Sequence, residues 1–137
     1  MYKSLLLAFS LFFLGSCGSL TLRPASPMNS TMVSSINVEY GSELDDRKIA
    51  VLDRYKMKDV FIAALQSSVD AGSDSTLRIT ITAFRTGGYG PTTMNATAEV
   101  LDASGAVSTS VEVNSVSVMR GVAGVAQEVV DKIAAEL

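Results

Sequence analysis

The segment from 76 to 113 alternates apolar and polar residues through three runs, and this alternation constrains the fold more than any other feature of the chain. The run "TLRITITAFR" places Leu77, Ile79, Ile81 and Ala83 on one side, and "MNATAEVL" and "VSTSVEV" repeat the pattern. Because successive side chains of a strand point to opposite faces, each run predicts a strand with one buried face. Such a sheet needs a second layer to cover its apolar side.

The turn "DASG" predicts a hairpin between the last two runs. Asp102 is suited to accept hydrogen bonds from the turn's backbone, and Gly105 to adopt a positive φ. A four-residue loop brings the apolar sides of the two strands together, whereas a slip of one residue would separate them. Val116 is out of phase with the preceding valines, which predicts a bulge at Asn114 and Ser115. The predicted pairs are Leu101 with Ala106, Val100 with Val107, Ala98 with Thr109, Ala96 with Val111 and Met94 with Val113.

Two segments carry the 3.6-residue period of an amphipathic helix. The first begins near Lys56 and is expected to end near Gly72, and "SINVEY" before it predicts a strand. Residues 41–55, between this strand and the first helix, fit either a short strand or the start of a helix. The predicted fold class is therefore α+β, a two-layer α/β sandwich with a mostly antiparallel sheet, order β-α-β-β-β-α and both helices on one face. The helix-face residues are Met57, Val60, Phe61, Ala64, Leu65 and Val69 in the first helix, and Val122, Val125, Ala126, Val129, Val130, Ile133, Ala134 and Leu137 in the second.

The apolar run Leu5–Leu14 is too short for a membrane span, which needs about 20 residues, and its arrangement is typical of a signal peptide. Leu14-Gly15-Ser16-Cys17 resembles the lipobox of bacterial lipoproteins. The resemblance implies that residues 1–16 are removed and that Cys17 carries diacylglycerol and an acylated amino group. The following Gly18 and Ser19, in place of Asp, imply the outer membrane and its periplasmic side. The alternative is an unmodified buried cysteine.

Removal of the signal peptide leaves 121 residues, enough for one domain. Residues 17–35, rich in Ser, Thr and Pro after the cysteine, are expected to form a lipidated flexible tether, and residues 36–137 a single domain. The remaining chain holds 10 Lys and Arg against 14 Asp and Glu, so it lacks the basic footprint of a nucleic-acid binder. With no His and a single Cys, most metal sites and nucleophilic triads are excluded. We therefore expect no metal, no cofactor and no enzymatic activity.

Three places remain as candidate functional sites. Asp45, Asp46 and Asp53 are either solvated charges or a carboxylate pair for glycoside chemistry. Tyr89, in the loop "TGGYGP", is either a plain connection residue or an anchor for a partner. The polar side of the sheet is either ordinary solvated surface or a platform for a protein partner, and its lack of aromatic residues suits glycan poorly. Its candidate binding residues are Arg78, Thr80, Thr97, Glu99, Ser110 and Glu112, accompanied by Thr82, Asn95 and Ser108.

The lipobox followed by this order of strands and helices resembles several groups of small proteobacterial lipoproteins, including those of the YajG type. That resemblance transfers no functional residue other than Cys17. The sequence thus favours an outer-membrane lipoprotein whose domain is a non-enzymatic binding or assembly module with a protein partner. Two alternatives stay open: an auxiliary lipoprotein subunit of an envelope transporter, and a peptidoglycan- or glycan-binding lipoprotein.

Overall fold

A computed structural model of the protein describes residues 20–28, 31–87 and 89–137. A single four-stranded sheet has the spatial order β1-β2-β3-β4, with β1 parallel to β2 and the other neighbours antiparallel. Helices cover one face of this sheet, which confirms the predicted α+β sandwich. The elements are β1 (Ser35–Tyr40), α1 (Asp46–Arg54), α2 (Met57–Ala64), a 3-10 turn (Gln66–Ser68), β2 (Thr76–Arg85), β3 (Thr92–Leu101), β4 (Val107–Ser117) and α3 (Gly121–Glu136).

The core lies between the sheet and two of the helices. α2 packs against β1, and α3 packs against β3 and β4. Leu77, Ile79 and Ile81 of β2 are fully buried at its centre, together with Phe61 of α2. All eight residues predicted for the inner side of the last helix are buried, whereas Val60 and Val69 of the earlier segment are only half-buried. The period of 3.6 therefore predicted the inner face of α3 completely and that of α2 at Met57, Phe61 and Ala64.

The segment 41–55, ambiguous in sequence, forms the additional helix α1. The Asp45 side chain accepts a hydrogen bond from the Lys48 backbone N–H at 2.9 Å, which satisfies one of the free donors at the helix start. The expectation that the next helix runs to Gly72 is wrong, because α2 ends at Ala64. Beyond it the chain has to leave the helix, since Val33 donates to the Ser68 carbonyl at 3.0 Å and forms a bridge with Val69.

The register of the β3–β4 hairpin corrects the predicted pairs by two residues. Ala96 faces Val113 and Ala98 faces Val111. One residue of the shift arises at the turn, where Leu101 pairs with Val107 in place of Ala106, and the second arises from Ser108, an extra residue between the pairs Val100–Thr109 and Leu101–Val107. The Ser108 hydroxyl donates to the Val100 carbonyl at 3.0 Å, which satisfies that acceptor within the bulge. Because the shift is of two residues, each side chain stays on its predicted face, and the apolar sides of the two strands still coincide.

The bulge expected at Asn114 and Ser115 is absent, because β4 pairs continuously with β3 as far as Ser117. Ser115 and Ser117 therefore face the core, and Val116 lies on the solvent side. The turn itself is as predicted: the Asp102 carboxylate accepts from the Ser104 and Ala106 backbone N–H groups, and Gly105 has a φ of +86°.

Residues 20–28 pack along the helical layer, and we call them the strap. Ala25 donates to the Ala64 carbonyl at 2.8 Å, and the Gln127 side chain bonds both backbone groups of Arg23 at 2.7 and 3.1 Å. Ala25 and Met28 are buried, and the Ser68 hydroxyl accepts from the Met28 N–H at 3.0 Å. In the structure, paired backbone groups and buried side chains thus hold residues 20–28 of the predicted tether against the helices.

A candidate partner-binding face

The open face is the solvent side of the sheet, and the strand register arranges its polar side chains in rows. One row crosses the sheet from Asn37 through Arg78 and Glu99 to Ser110, and the next crosses from Glu39 through Thr80 and Thr97 to Glu112. The side chains share one face because each strand keeps its period of two across paired neighbours. The six predicted binding residues of the sheet are therefore brought together in two adjacent rows.

The first row contains a cross-strand ion pair. The Arg78 guanidinium donates to Glu99 Oε1 through Nε at 3.2 Å and through Nη2 at 3.0 Å. Both side chains are partly covered, with 36% and 21% exposed. This contact leaves Glu39, Glu43 and Glu112 as acidic groups around the second row that make no ion pair within the described residues. The open face is consequently acidic.

A shallow hollow of about 480 Å³ lies at the end of the second row. Its rim includes Glu43, which belongs to the loop after β1. The Glu43 side chain lies close over Gly41, because a Cβ on that glycine would be 2.5 Å from Glu43 Oε2 and 3.3 Å from the Ile81 carbonyl. The register of β2 shifts between Ile81 and Ala83, which leaves Thr82 beside the hollow. The hollow is lined by Glu43, Thr82, Asn95, Ala96, Thr97, Glu112, Val113 and Asn114.

The other candidate residues lie away from these rows. Tyr89 is fully exposed in the loop between β2 and β3. Cys17 lies outside the described residues. Sequence reasoning missed Glu43 and Asn114: the first sits in the segment that was ambiguous, and the second was assigned to a bulge. Asn37 and Glu39 could have been found, because they alternate with the apolar residues of "SINVEY".

The three aspartates of the carboxylate hypothesis have separate positions in the structure. Asp45 caps α1, and Asp53 accepts a hydrogen bond from the Tyr40 hydroxyl at 2.6 Å. Burial, and then the Asp53 carboxylate, raise the pKa of Tyr40 above its usual value. Asp46 lies in the first turn of α1, where the helix dipole stabilises a negative charge. Each of the three thus has a role in local structure.

Within the described ranges, no cluster of three or more His, Cys, Asp or Glu side chains is placed to hold a metal ion. A membrane-crossing helix is likewise not found there, since no helix in that part of the chain combines the necessary length and apolarity.

No protein-family model and no curated protein matches the chain, whereas solved structures do. Protein XCC0632 from Xanthomonas campestris, a DUF330 protein, is 13% identical over 86% of this chain and 90% of its own, with a TM-score of 0.52. The PelC dodecamer from Paraburkholderia phytofirmans, in space group P6, is 18% identical over 82% of this chain and 90% of its own, with a TM-score of 0.50. At these identities the likeness shows a shared fold.

Proposed function

We propose that the protein is a lipid-anchored envelope protein whose domain is a non-enzymatic binding or assembly module, with the open face as its binding surface. The observation that carries the proposal is the open face itself. Helices cover only one side of the sheet, and the other side presents ordered rows of hydroxyl, amide and carboxylate groups. The lipobox at Cys17 supports attachment to the outer membrane on its periplasmic side.

The chemistry of the open face defines the partner it suits. Paired strands hold the side chains in fixed rows, so little order has to be gained on binding. Glu39, Glu43 and Glu112 favour a partner that brings Lys or Arg, and charge complementarity raises the rate and specificity of such an encounter. Thr80 and Thr97 supply hydroxyl groups between these acids. The partner is therefore a protein with a basic, hydrogen-bonding surface.

Site-specific photo-crosslinking in cells tests this surface. A photoreactive amino acid at Thr97 of the open face is expected to capture the partner, whereas the same group at Glu136, exposed on α3, is the matched control and is expected to capture none. A transporter subunit in the adduct supports the auxiliary-subunit alternative. Binding of purified sacculi without any protein adduct at Thr97 supports the glycan alternative and contradicts the proposed partner class.

A charge reversal separates binding from folding. Glu112→Lys is expected to abolish crosslinking from Thr97, because it replaces an attractive charge at the end of the same row by a repulsive one. Glu136→Lys makes the same charge change on α3 and is expected to leave the adduct unchanged. Equal adducts from both variants would contradict the open face as the binding surface.

A self-assembling module is a second candidate. The fold-similar PelC is a dodecamer, and in this chain β1 and β4 are the edge strands of the sheet. Unpaired strand edges are ready to pair with another chain. Crosslinking from Thr109, on the edge strand β4, to a second copy of the protein would support this candidate, and a monomeric mass at all working concentrations would contradict it.

The anchor has its own test. The parent is expected to incorporate labelled palmitate and to fractionate with the outer membrane. Cys17→Ser removes the only thiol that can accept diacylglycerol, so the variant is expected to persist as a precursor about 16 residues longer. Normal maturation of the Ser variant, or a parent without label, would contradict the anchor.

A further inference from the structure

Apolar side chains project into solvent at one end of the sheet, which we call the basal end: the end where β1 stops at Tyr40, β2 at Arg85 and β4 at Ser117. Val118 and Met119, directly after β4, are 86% and 94% exposed. The β2–β3 loop leaves the sheet at the same end and carries the fully exposed Tyr89. Four of the six large apolar residues that are exposed in the described part of the chain lie at this end. They are Tyr89, Val116, Val118 and Met119.

Most basic side chains lie around the same end. Arg47 and Lys48 of α1 meet Arg85 at a small hollow beside Phe84, and Lys58 Nζ lies 4.5 Å from the centre of the Tyr40 ring. Seven of the ten Lys and Arg of the described residues are at or next to the basal end, against six of the fourteen Asp and Glu. The basic residues are Arg47, Lys48, Arg54, Lys56, Lys58, Arg85 and Arg120. The acidic residues are Glu43, Asp45, Asp46, Asp53, Asp59 and Glu128, the last of which is ion-paired with Arg120. The basal end is therefore mildly positive on a protein that is negative elsewhere.

The strap directs the preceding chain toward the same end. Its first residues, from Leu20 to Leu22, line a hollow together with Lys56, directly before α2, and with Asp59, Val60 and Ala63 of that helix. The start of α2 lies beside Tyr40. From there the strap runs away from the basal end to Met28. With Cα atoms ~3.8 Å apart, the three steps from Leu20 limit Cys17 to about 11 Å from it. A lipid on Cys17 would thus lie close to the basal half of the domain.

We propose that the basal end docks on an anionic phospholipid surface. Val118, Met119 and Tyr89 enter the interface between headgroups and acyl chains, where aliphatic and aromatic tips are favoured, and the surrounding Arg and Lys contact the phosphates. The argument from Cys17 rests on the lipid anchor of the proposed function, whereas the exposed apolar tips and the basic rim stand without it.

The docked orientation has a consequence for the open face. Because the strands run from the basal end to the opposite end, they stand away from the membrane when the basal end rests on it. The open face then looks sideways along the membrane surface, and it is presented to proteins in the same membrane. A protein partner would therefore approach beside the domain and not from above it.

Lipid-quenched fluorescence on reconstituted protein tests the docking. The chain has one cysteine, so in the lipidated protein Met119→Cys provides the single free thiol for a fluorophore. In vesicles of phosphatidylethanolamine and phosphatidylglycerol that contain nitroxide lipids, we expect strong quenching at position 119. The matched control is Ala103→Cys, exposed in the β3–β4 turn at the opposite end, where we expect none.

Two further measurements identify the lipid chemistry. Quenching is expected to weaken when phosphatidylglycerol is omitted, and at ~1 M salt, where the Debye length is ~3 Å. The double variant Arg47→Gln/Arg85→Gln is expected to weaken it as well, because each cation near an anionic surface strengthens binding several-fold. Arg23→Gln/Lys132→Gln makes the same charge change elsewhere and is expected to leave quenching unchanged.

The outcomes separate docking from anchoring. If Cys17 carries no lipid, the same labels are placed in the Cys17→Ser full chain and mixed with the vesicles; quenching at position 119 alone then supports docking while the anchor fails. Equal quenching at positions 119 and 103 overturns the proposal. A second result also overturns the proposal: the label at position 119 becomes shielded from water only at high protein concentration, and nitroxide lipids do not quench it. That result would assign the basal end to a contact between proteins.

Discussion

The two faces of the sheet differ in what their residues do, and β3 shows the difference residue by residue. Ala96, Ala98 and Val100 face the helices and are buried, whereas Thr97 and Glu99 between them face solvent. On the covered face nearly every side chain contributes packing, so changes there are costly. On the open face the backbone is already paired, and side chains can change with little effect on stability. Core packing and the candidate binding residues thus occupy opposite sides of the same strands.

The sharpest test of this difference exchanges neighbouring residues for the same charged one. Ala98→Asp places a carboxylate against the fully buried centre of the sheet, and we expect it to lower the free energy of unfolding by several kcal/mol of a total of ~5–15 kcal/mol. Thr97→Asp, one residue earlier, is expected to change it by less than about 1 kcal/mol. Urea unfolding followed by circular dichroism measures both. Equal losses in the two variants would show that the open face is not free of packing constraints.

The next largest effect on stability is expected at Tyr40, the last residue of β1, which contacts Asp53 of α1. Tyr40→Phe removes the hydrogen bond to Asp53 and is expected to cost about 1 kcal/mol at pH 7. Because burial and Asp53 raise the pKa of Tyr40, the folded protein keeps the phenol proton above pH ~10, where the unfolded chain loses it. The stabilisation is thus complete below that pH and is lost as the pH rises further.

Unfolding measured between neutral and alkaline pH checks the sign. The parent is expected to lose stability more steeply above pH ~10 than Tyr40→Phe does, because the variant has no phenol to ionise. Asp53→Asn, which removes the charge and leaves the tyrosine buried, is expected to fall between them. Parallel pH profiles for the parent and the Phe variant would contradict the raised pKa.

How far the sequence predicts these faces depends on how local the pattern is. The period of two predicted which residues turn inward in β3, and in β2 as far as Ile81, and the "DASG" turn was correct in its hydrogen bonds. Beyond Ile81 the prediction was wrong, because the register shifts and Phe84, not Ala83, is buried. Half of the two-residue error in the hairpin register came from the turn, where Leu101 pairs with Val107, and half from Ser108, whose bulge is stabilised by a contact with Val100. A shift of two residues in total leaves no mark on the alternation. Local patterns therefore fixed the sides of the strands and left the pairing open.

Features held by distant contacts were beyond the pattern. The strap has no period, and it is fixed by single contacts such as Ala25 with Ala64 and Arg23 with Gln127, which are remote in sequence. The hollow on the open face depends on Glu43 lying over Gly41, and no rule of spacing brings that residue to the second row. The candidate rows, with Glu39 and Glu112, could be predicted from alternation, but the position of Glu43 beside them could not.

Two serines on the covered side of β4 have opposite expected effects. The Ser115 hydroxyl is buried and has no hydrogen-bond partner among the described residues, so Ser115→Ala is expected to raise the free energy of unfolding by about 1 kcal/mol. The Ser117 hydroxyl accepts from the Arg120 backbone N–H at 2.9 Å at the start of α3, so Ser117→Ala is expected to lower it by a similar amount. The urea midpoint of each variant, compared with that of the parent, measures its effect. A loss of stability in Ser115→Ala would indicate a partner for that hydroxyl.

The smallest expected effect is on the open face, at the ion pair between Arg78 and Glu99. The two charges gain little from their contact, because the pair is partly exposed and both groups are well solvated in the unfolded chain. Arg78→Ala and Glu99→Ala are each expected to change the free energy of unfolding by less than about 1 kcal/mol, and a double-mutant cycle is expected to give a coupling of ~0.2–1 kcal/mol. That coupling should shrink in high salt, because screening weakens partly exposed pairs. A salt-independent coupling of several kcal/mol would instead show that this pair stabilises the fold. The open face would then contribute to folding as the covered face does, and the difference between the two faces would be contradicted.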